Sequence, residues 1–227
     1  MKKLLLLVAI ASISLGSFAQ KQFGLKVGLN LAKISTVYNT DDDAKDYLDK
    51  AEDYRAYTSG LNIGVAFNTG GENFSFQPEL AYSQRGYDIL DMDKKAAGYA
   101  RYNYIDIKPL FNWGGGNDVW KAYAQFGPSI NFWLSKKTYD KDGDIIDKSD
   151  EWAEDNDEDG AGRLDIRGEL GFVLGAGFKY KVGPGWALVN PRYEWGLSPM
   201  TIVDTGSKGY AIVNRTFSIN VGYLYEF

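Results

Sequence analysis

No cysteine and no histidine occur among the 227 residues, and proline is scarce, with six in all. Without thiols the chain cannot build a disulfide framework, an iron–sulfur centre or a thiolate zinc site. Without imidazole it lacks the one side chain that titrates near neutrality unaided, which excludes Ser-His-Asp triads and most catalytic zinc sites. Long apolar runs are also missing: beyond residue 15 no stretch reaches the roughly 20 residues that a membrane helix needs. Positive charge is in deficit, with 25 Lys and Arg against 30 Asp and Glu, a net −5. What is abundant is unusual: 15% aromatics and 26 glycines.

The first residues read as an export signal. Lys2 and Lys3 precede an apolar stretch from Leu4 to Leu15, and Ser17-Phe18-Ala19 places small residues at the −3 and −1 positions of a cleavage site. The expected division is residues 1–19 as signal peptide and 20–227 as the mature domain. Cleavage leaves 23 basic against 30 acidic residues, a net charge of −7.

The mature sequence has period two. Phe23, Leu25, Val27, Leu29 and Leu31 alternate with Gly24, Lys26, Gly28 and Asn30. Similar alternation recurs around residues 61–68, 74–83, 104–113, 120–132, 164–180, 187–195 and 216–227. This predicts eight strands of about 10 to 16 residues, against a usual length of about 5–6. Three connections are short and Gly-rich (69–72, 114–118 and 181–185). Four are long (32–57, 86–98, 135–162 and 196–209), and the two kinds alternate strictly. Short turns at one end and long loops at the other characterise outer-membrane barrels.

One face of each strand is aliphatic and aromatic, and the other carries charges, Gly, Ser and Asn. Period alone does not say which face points inward, and a soluble barrel with an apolar interior shares it. A narrow eight-stranded lumen accommodates small and hydrogen-bonding residues. Lipid would then face the aliphatics, with Trp113, Trp120, Tyr180, Trp186, Trp195 and Tyr223 near strand ends as interfacial aromatics. The expected fold is an all-β, eight-stranded antiparallel transmembrane β-barrel, an up-and-down meander with short periplasmic turns and long outer loops. Tyr223, Tyr225 and Phe227 close the last strand on its apolar face, as expected of a signal read by barrel-assembly machinery.

Four segments carry a family resemblance: Tyr104–Leu110 (YIDIKPL), Ala124–Ile130 (AQFGPSI), Gly175–Tyr180 (GAGFKY) and Pro191–Leu197 (PRYEWGL). In this order they resemble the PorT-like outer-membrane β-barrel family of Bacteroidota, with Lys108 inserted where the family runs directly into proline. The resemblance implies an outer-membrane barrel. It does not imply a role in type IX secretion.

Two groups of residues are candidate sites. The face opposite the aliphatics holds Glu79, Asp106, Glu169 and Glu194 with Lys26, Lys108, Lys121 and Arg192. This is a balanced set, expected as a lumenal ion-pair network because buried charges need partners. The second group lies in residues 140–159, where eleven acids face two lysines. There Asp155, Asp157, Asp159 and Gly160 match the opening of a calcium loop, but position 12 is Ile166 in place of the bidentate Glu. Weak calcium binding is the only cofactor expectation, and Asp140, Asp142 and Asp144 form a second, weaker candidate. Acidic loops disfavour nucleic acid. The expected partners are outer-membrane lipid, the assembly machinery and envelope proteins. The expected role is non-enzymatic, structural or adhesive. The alternatives are an accessory part of a secretion system, and a barrel hydrolase using a carboxylate pair, disfavoured by the missing histidine.

Overall fold

Period-two alternation over eight long segments suits one economical solution, a closed ring in which each ring strand pairs on both sides. The computed structural model, which describes residues 20–39, 53–149, 154–156, 162–204 and 209–227, adopts that solution. Its strands are β1 (Gln20–Asn39), β2 (Arg55–Ala56), β3 (Thr58–Gly70), β4 (Phe74–Leu90), β5 (Ala96–Gly116), β6 (Trp120–Asp140) and β7 (Ile145–Ser149). They continue as β8 (Glu154–Asn156), β9 (Gly162–Asp165), β10 (Gly168–Val182), β11 (Gly185–Gly196), β12 (Thr201–Asp204) and β13 (Gly209–Glu226). Eight of them, in the order β1-β3-β4-β5-β6-β10-β11-β13, form an antiparallel meander that closes through β1–β13 pairing.

Register fixes the geometry of the ring. Starting at Leu31, paired residues run Phe217, Tyr193, Leu174, Phe126, Phe111, Phe76 and Thr69, and return to β1 at Lys21. One circuit therefore displaces the register by ten residues, from 31 to 21. Ten residues of about 3.3 Å over eight strands spaced about 4.8 Å give a tilt of about 40°, within the usual barrel range.

The faces are inverted relative to a soluble protein. Leu25 is 62% exposed, Leu29 60% and Leu61 59%, whereas Gln77, Asp106, Gln125 and Asn190 are completely buried. Among the described residues the apolar clusters inside are small. One (Ile34, Ala100, Tyr102, Tyr104, Trp133 and Met200) lies across the long-loop end of the lumen. The other (Ala66, Leu188 and Leu224) lies near the turns.

The structure corrects several sequence expectations. Some ring strands are longer than expected, with 20 residues in β1 and 21 each in β5 and β6, whereas β3, β10 and β11, with 13, 15 and 12, fall within the expected range. The stretch 86–98, expected as a loop, is mostly strand, because β4 runs to Leu90 and β5 restarts at Ala96. Its turn is built by Asp91, whose Oδ1 accepts the N–H groups of Asp93 and Lys95. The stretch 135–162 likewise holds the end of β6 and all of β7, which pairs back onto β6. There the inward face turns apolar as well, with Ala100, Tyr102 and Trp133 buried, so polar–apolar alternation lapses while the ladder continues. Leu164 belongs to the separate strand β9 rather than to β10. Trp186, expected at the interface, is 2% exposed and points inward, where its Nε1 donates to Glu226 Oε2 at 3.0 Å.

Candidate functional site

Small residues make room for large charged ones inside the ring. Gly171 is one such position: a Cβ there would lie 2.5 Å from Ser129 Oγ and 3.4 Å from Glu194 Oε1. The space is filled by three hydrogen-bonded groups. In the first, Glu79 sits between two cations, with Lys26 Nζ 2.6 Å from Oε1 and Arg192 Nη1 2.9 Å from Oε2. Gln77 Nε2 also donates to Oε1 at 2.7 Å.

The second group is a tetrad. Arg85 reaches Asp106 Oδ2 at 2.7 Å and Glu194 Oε1 at 2.9 Å. Lys108 reaches the same two acids at 2.9 and 3.0 Å. Ser129 Oγ and Asn131 Nδ2 add donors to Glu194 at 2.9 and 2.8 Å. The third group holds Glu169 through neutral donors: Tyr104 Oη at 2.5 Å and Asn214 Nδ2 at 2.7 Å. The Arg85 guanidinium lies 5.0 Å from the Tyr104 ring centroid and so links the second group to the third.

Of the eight lumenal residues singled out in the sequence, Lys26, Glu79 and Arg192 thus meet in one group, and Asp106, Lys108 and Glu194 in another. Glu169 stands apart from both. Lys121 lies at the turn end, its ammonium 5.1 Å from the Trp186 ring centroid. Sequence reasoning misses the hub of the tetrad, Arg85. A signal for it exists, since Gln77, Glu79, Ser83 and Arg85 share one parity, but clear alternation ends just there. Lys179 is also absent from the expected network. It is buried, donates to Gln22 Oε1 at 3.4 Å and lies 5.1 Å from the Tyr123 ring centroid.

The arrangement offers little room for chemistry. Each carboxylate in the two charged groups is held by two cations, and a cavity of about 40 Å³ lies at the turn end beside Gln22, Asn68, Tyr123 and Lys179. The calcium candidates Asp157 and Asp159 lie outside the described residues, and of Asp155 only the backbone is described. Asp140 caps a turn, where its Oδ1 accepts the N–H groups of Asp142 and Asp144 at 2.9 Å each. Among the described residues no three His, Cys, Asp or Glu side chains converge as metal ligands do. Tyr223, Tyr225 and Phe227 all face outward, and Tyr223 Oη donates to Val182 O at 2.9 Å.

Comparison with solved structures finds a major outer membrane protein of Thermus thermophilus at 12% identity and a TM-score of 0.47, covering 91% of this chain and 99% of that one. OprG of Pseudomonas aeruginosa is similar at 12% identity and a TM-score of 0.46, covering 92% and 95%. Ail of Yersinia pestis, solved with a heparin analogue, shows 12% identity and a TM-score of 0.42, covering 91% and 99%. A search of curated proteins finds no match. The family model for the outer membrane protein beta-barrel domain matches residues 18–201, well over half of the sequence, and the chain belongs to that family.

Proposed function

We propose that the protein is a non-enzymatic outer-membrane barrel with a sealed lumen, which acts through the surface built above its long-loop end. The observation that carries this reading is the filling of the lumen. Two ion-paired groups occupy its middle, and Tyr102, Trp133 and Met200 pack across the end beyond them. Eight strands enclose a space that side chains fill, so a barrel of this size needs no further plug. The exposed aliphatic belt supports a membrane-spanning orientation, with the Gly-rich turns in the periplasm and the long loops outside. Residues 1–19 then serve as the export signal.

Above the belt the strands continue as paired structure. The chain β13-β12-β9-β8 extends one side, β7 folds back on β6, and β2 pairs with β4. Met92, 91% exposed at the β4–β5 turn, and Ile146, 64% exposed on β7, give this crown apolar points suited to contacting envelope proteins. Within the family, the four segments Tyr104–Leu110, Ala124–Ile130, Gly175–Tyr180 and Pro191–Leu197 support a PorT-like reading. Planar-bilayer recording tests the sealed lumen. Reconstituted protein should give no single-channel steps, and steps typical of a water-filled pore would contradict the reading.

A further inference from the structure

Lys33, Arg215 and Arg101 face outward at the upper rim of the aliphatic belt. Lys33 on β1 lies directly across from Arg215 on β13, which lies across from Trp195 on β11. The Lys33 ammonium is 5.3 Å from the Tyr57 ring centroid. Arg101 on β5 reaches across to Ser59 O at 3.4 Å, and its buried Nε has no hydrogen-bond partner. Arg215 Nη1 donates to Gly196 O at 2.9 Å. Among the described residues no carboxylate lies within ion-pairing distance of any of the three, in contrast to Lys26, Arg85, Lys108 and Arg192 inside the barrel.

A groove of about 670 Å³ runs down the outer surface from this rim, over β13, β1, β3 and β4. Its walls include Leu29, Leu31, Leu61, Ile63 and Phe217, and Ser59 and Gln84 stand at its upper end. Leu31 and Phe217 are each two residues from Lys33 and Arg215 on the same outward face, so the apolar slot opens at the cations. The volume falls within the roughly 300–1,000 Å³ of small-molecule sites.

We propose that this rim and groove bind one phosphorylated lipid of the outer leaflet, with its phosphate on Lys33, Arg101 and Arg215 and an acyl chain in the groove. Guanidinium groups match phosphate oxygens in a planar, bidentate way. Three cations with no pairing carboxylate among the described residues, beside an apolar slot, call for an anionic amphiphile rather than a free anion. The proposal rests on the membrane reading above.

The test uses the full mature chain in detergent micelles, with native mass spectrometry reading bound lipid. The probes are bisphosphorylated lipid A, its dephosphorylated form and phosphatidylcholine. Heat-modifiable gel migration reports folding of each variant. One bisphosphorylated lipid A should be retained in preference to the other two. At about 1 kcal/mol per surface cation, each of K33Q, R101Q and R215Q should weaken retention about fivefold and the triple variant about a hundredfold. Ser59→Trp, which fills the groove and keeps all three cations, should also displace the lipid. Equal retention of the dephosphorylated form, or a folded triple variant that binds as the wild type does, would overturn the proposal. A wild-type chain without heat-modifiable migration would contradict the membrane reading itself, and the site with it.

Discussion

Replacing Arg85 with Met should be the most damaging single change in the lumen. Arg85 is buried, with a side-chain exposure of 1%, and pairs with two buried carboxylates that it shares with Lys108. Met keeps the packing of the aliphatic stem while the guanidinium, its charge and its hydrogen bonds are lost. Asp106 and Glu194 are then left with Lys108 alone, at 2.9 and 3.0 Å, and the tetrad carries one uncompensated negative charge. Breaking a buried pair in this way costs about 3–5 kcal/mol. The exposed pair Lys95–Asp93, at 3.6 Å with both side chains about three-quarters exposed, is the control. Lys95→Met should cost no more than about 1 kcal/mol. Urea unfolding in lipid vesicles, followed by heat-modifiable migration, measures both. Adding Glu194→Gln to Arg85→Met restores electroneutrality, since Lys108 then balances Asp106. The double variant should therefore be more stable than the sum of the single effects by about 1 kcal/mol or more. An Arg85→Met loss below about 1 kcal/mol, or strict additivity of the two changes, would refute the argument that charge pairing holds the lumen together.

Three further changes test other parts of the account. Gly177→Ala places a methyl 2.1 Å from Tyr123 Cζ and should cost about 1–3 kcal/mol in the same unfolding assay. Val221→Arg on the outward face, near the middle of the aliphatic belt, should cost about 2–4 kcal/mol in vesicles, whereas arginine is already accommodated at the rim as Arg215. Gly143 has φ +87° and open space around its Cβ position, so Gly143→Ala meets only backbone strain. A penalty of about 1 kcal/mol there should speed hydrogen exchange of the Asp140 amide, which donates to Asp144 O, by about fivefold and leave the barrel unchanged.

The ring is legible in the sequence because lipid and lumen impose opposite demands on alternate residues. Leu25 against Lys26, or Ile107 against Asp106, reveals a strand wherever the two solvents differ. The crown is not legible, because residues such as Tyr87, Asp88, Tyr99 and Tyr139 stand above the lipid and carry no such contrast. The same blindness hides Arg85, which lies where β4 leaves the region of clear alternation. Parity alone assigns Glu169 to the charged set. Its partners Tyr104 and Asn214 lie 65 and 45 residues away in sequence and come together only through the register of β5, β10 and β13. Trp186 departs from expectation for a different reason. Aromatic residues near strand ends suit an interface, but parity sets its ring on the side of Leu188 and Asn190, inside the barrel.

The central claim is that the aliphatic face meets lipid and the charged face fills the lumen. Site-directed spin labelling along β13, from Phe217 to Tyr225, in protein reconstituted into bilayers tests it directly. Labels at 219, 221 and 223 should be accessible to oxygen and shielded from a water-soluble nickel reagent, and labels at 218, 220 and 222 should be shielded from both. Oxygen accessibility at 218, 220 and 222 together with protection at 219, 221 and 223 would contradict the account.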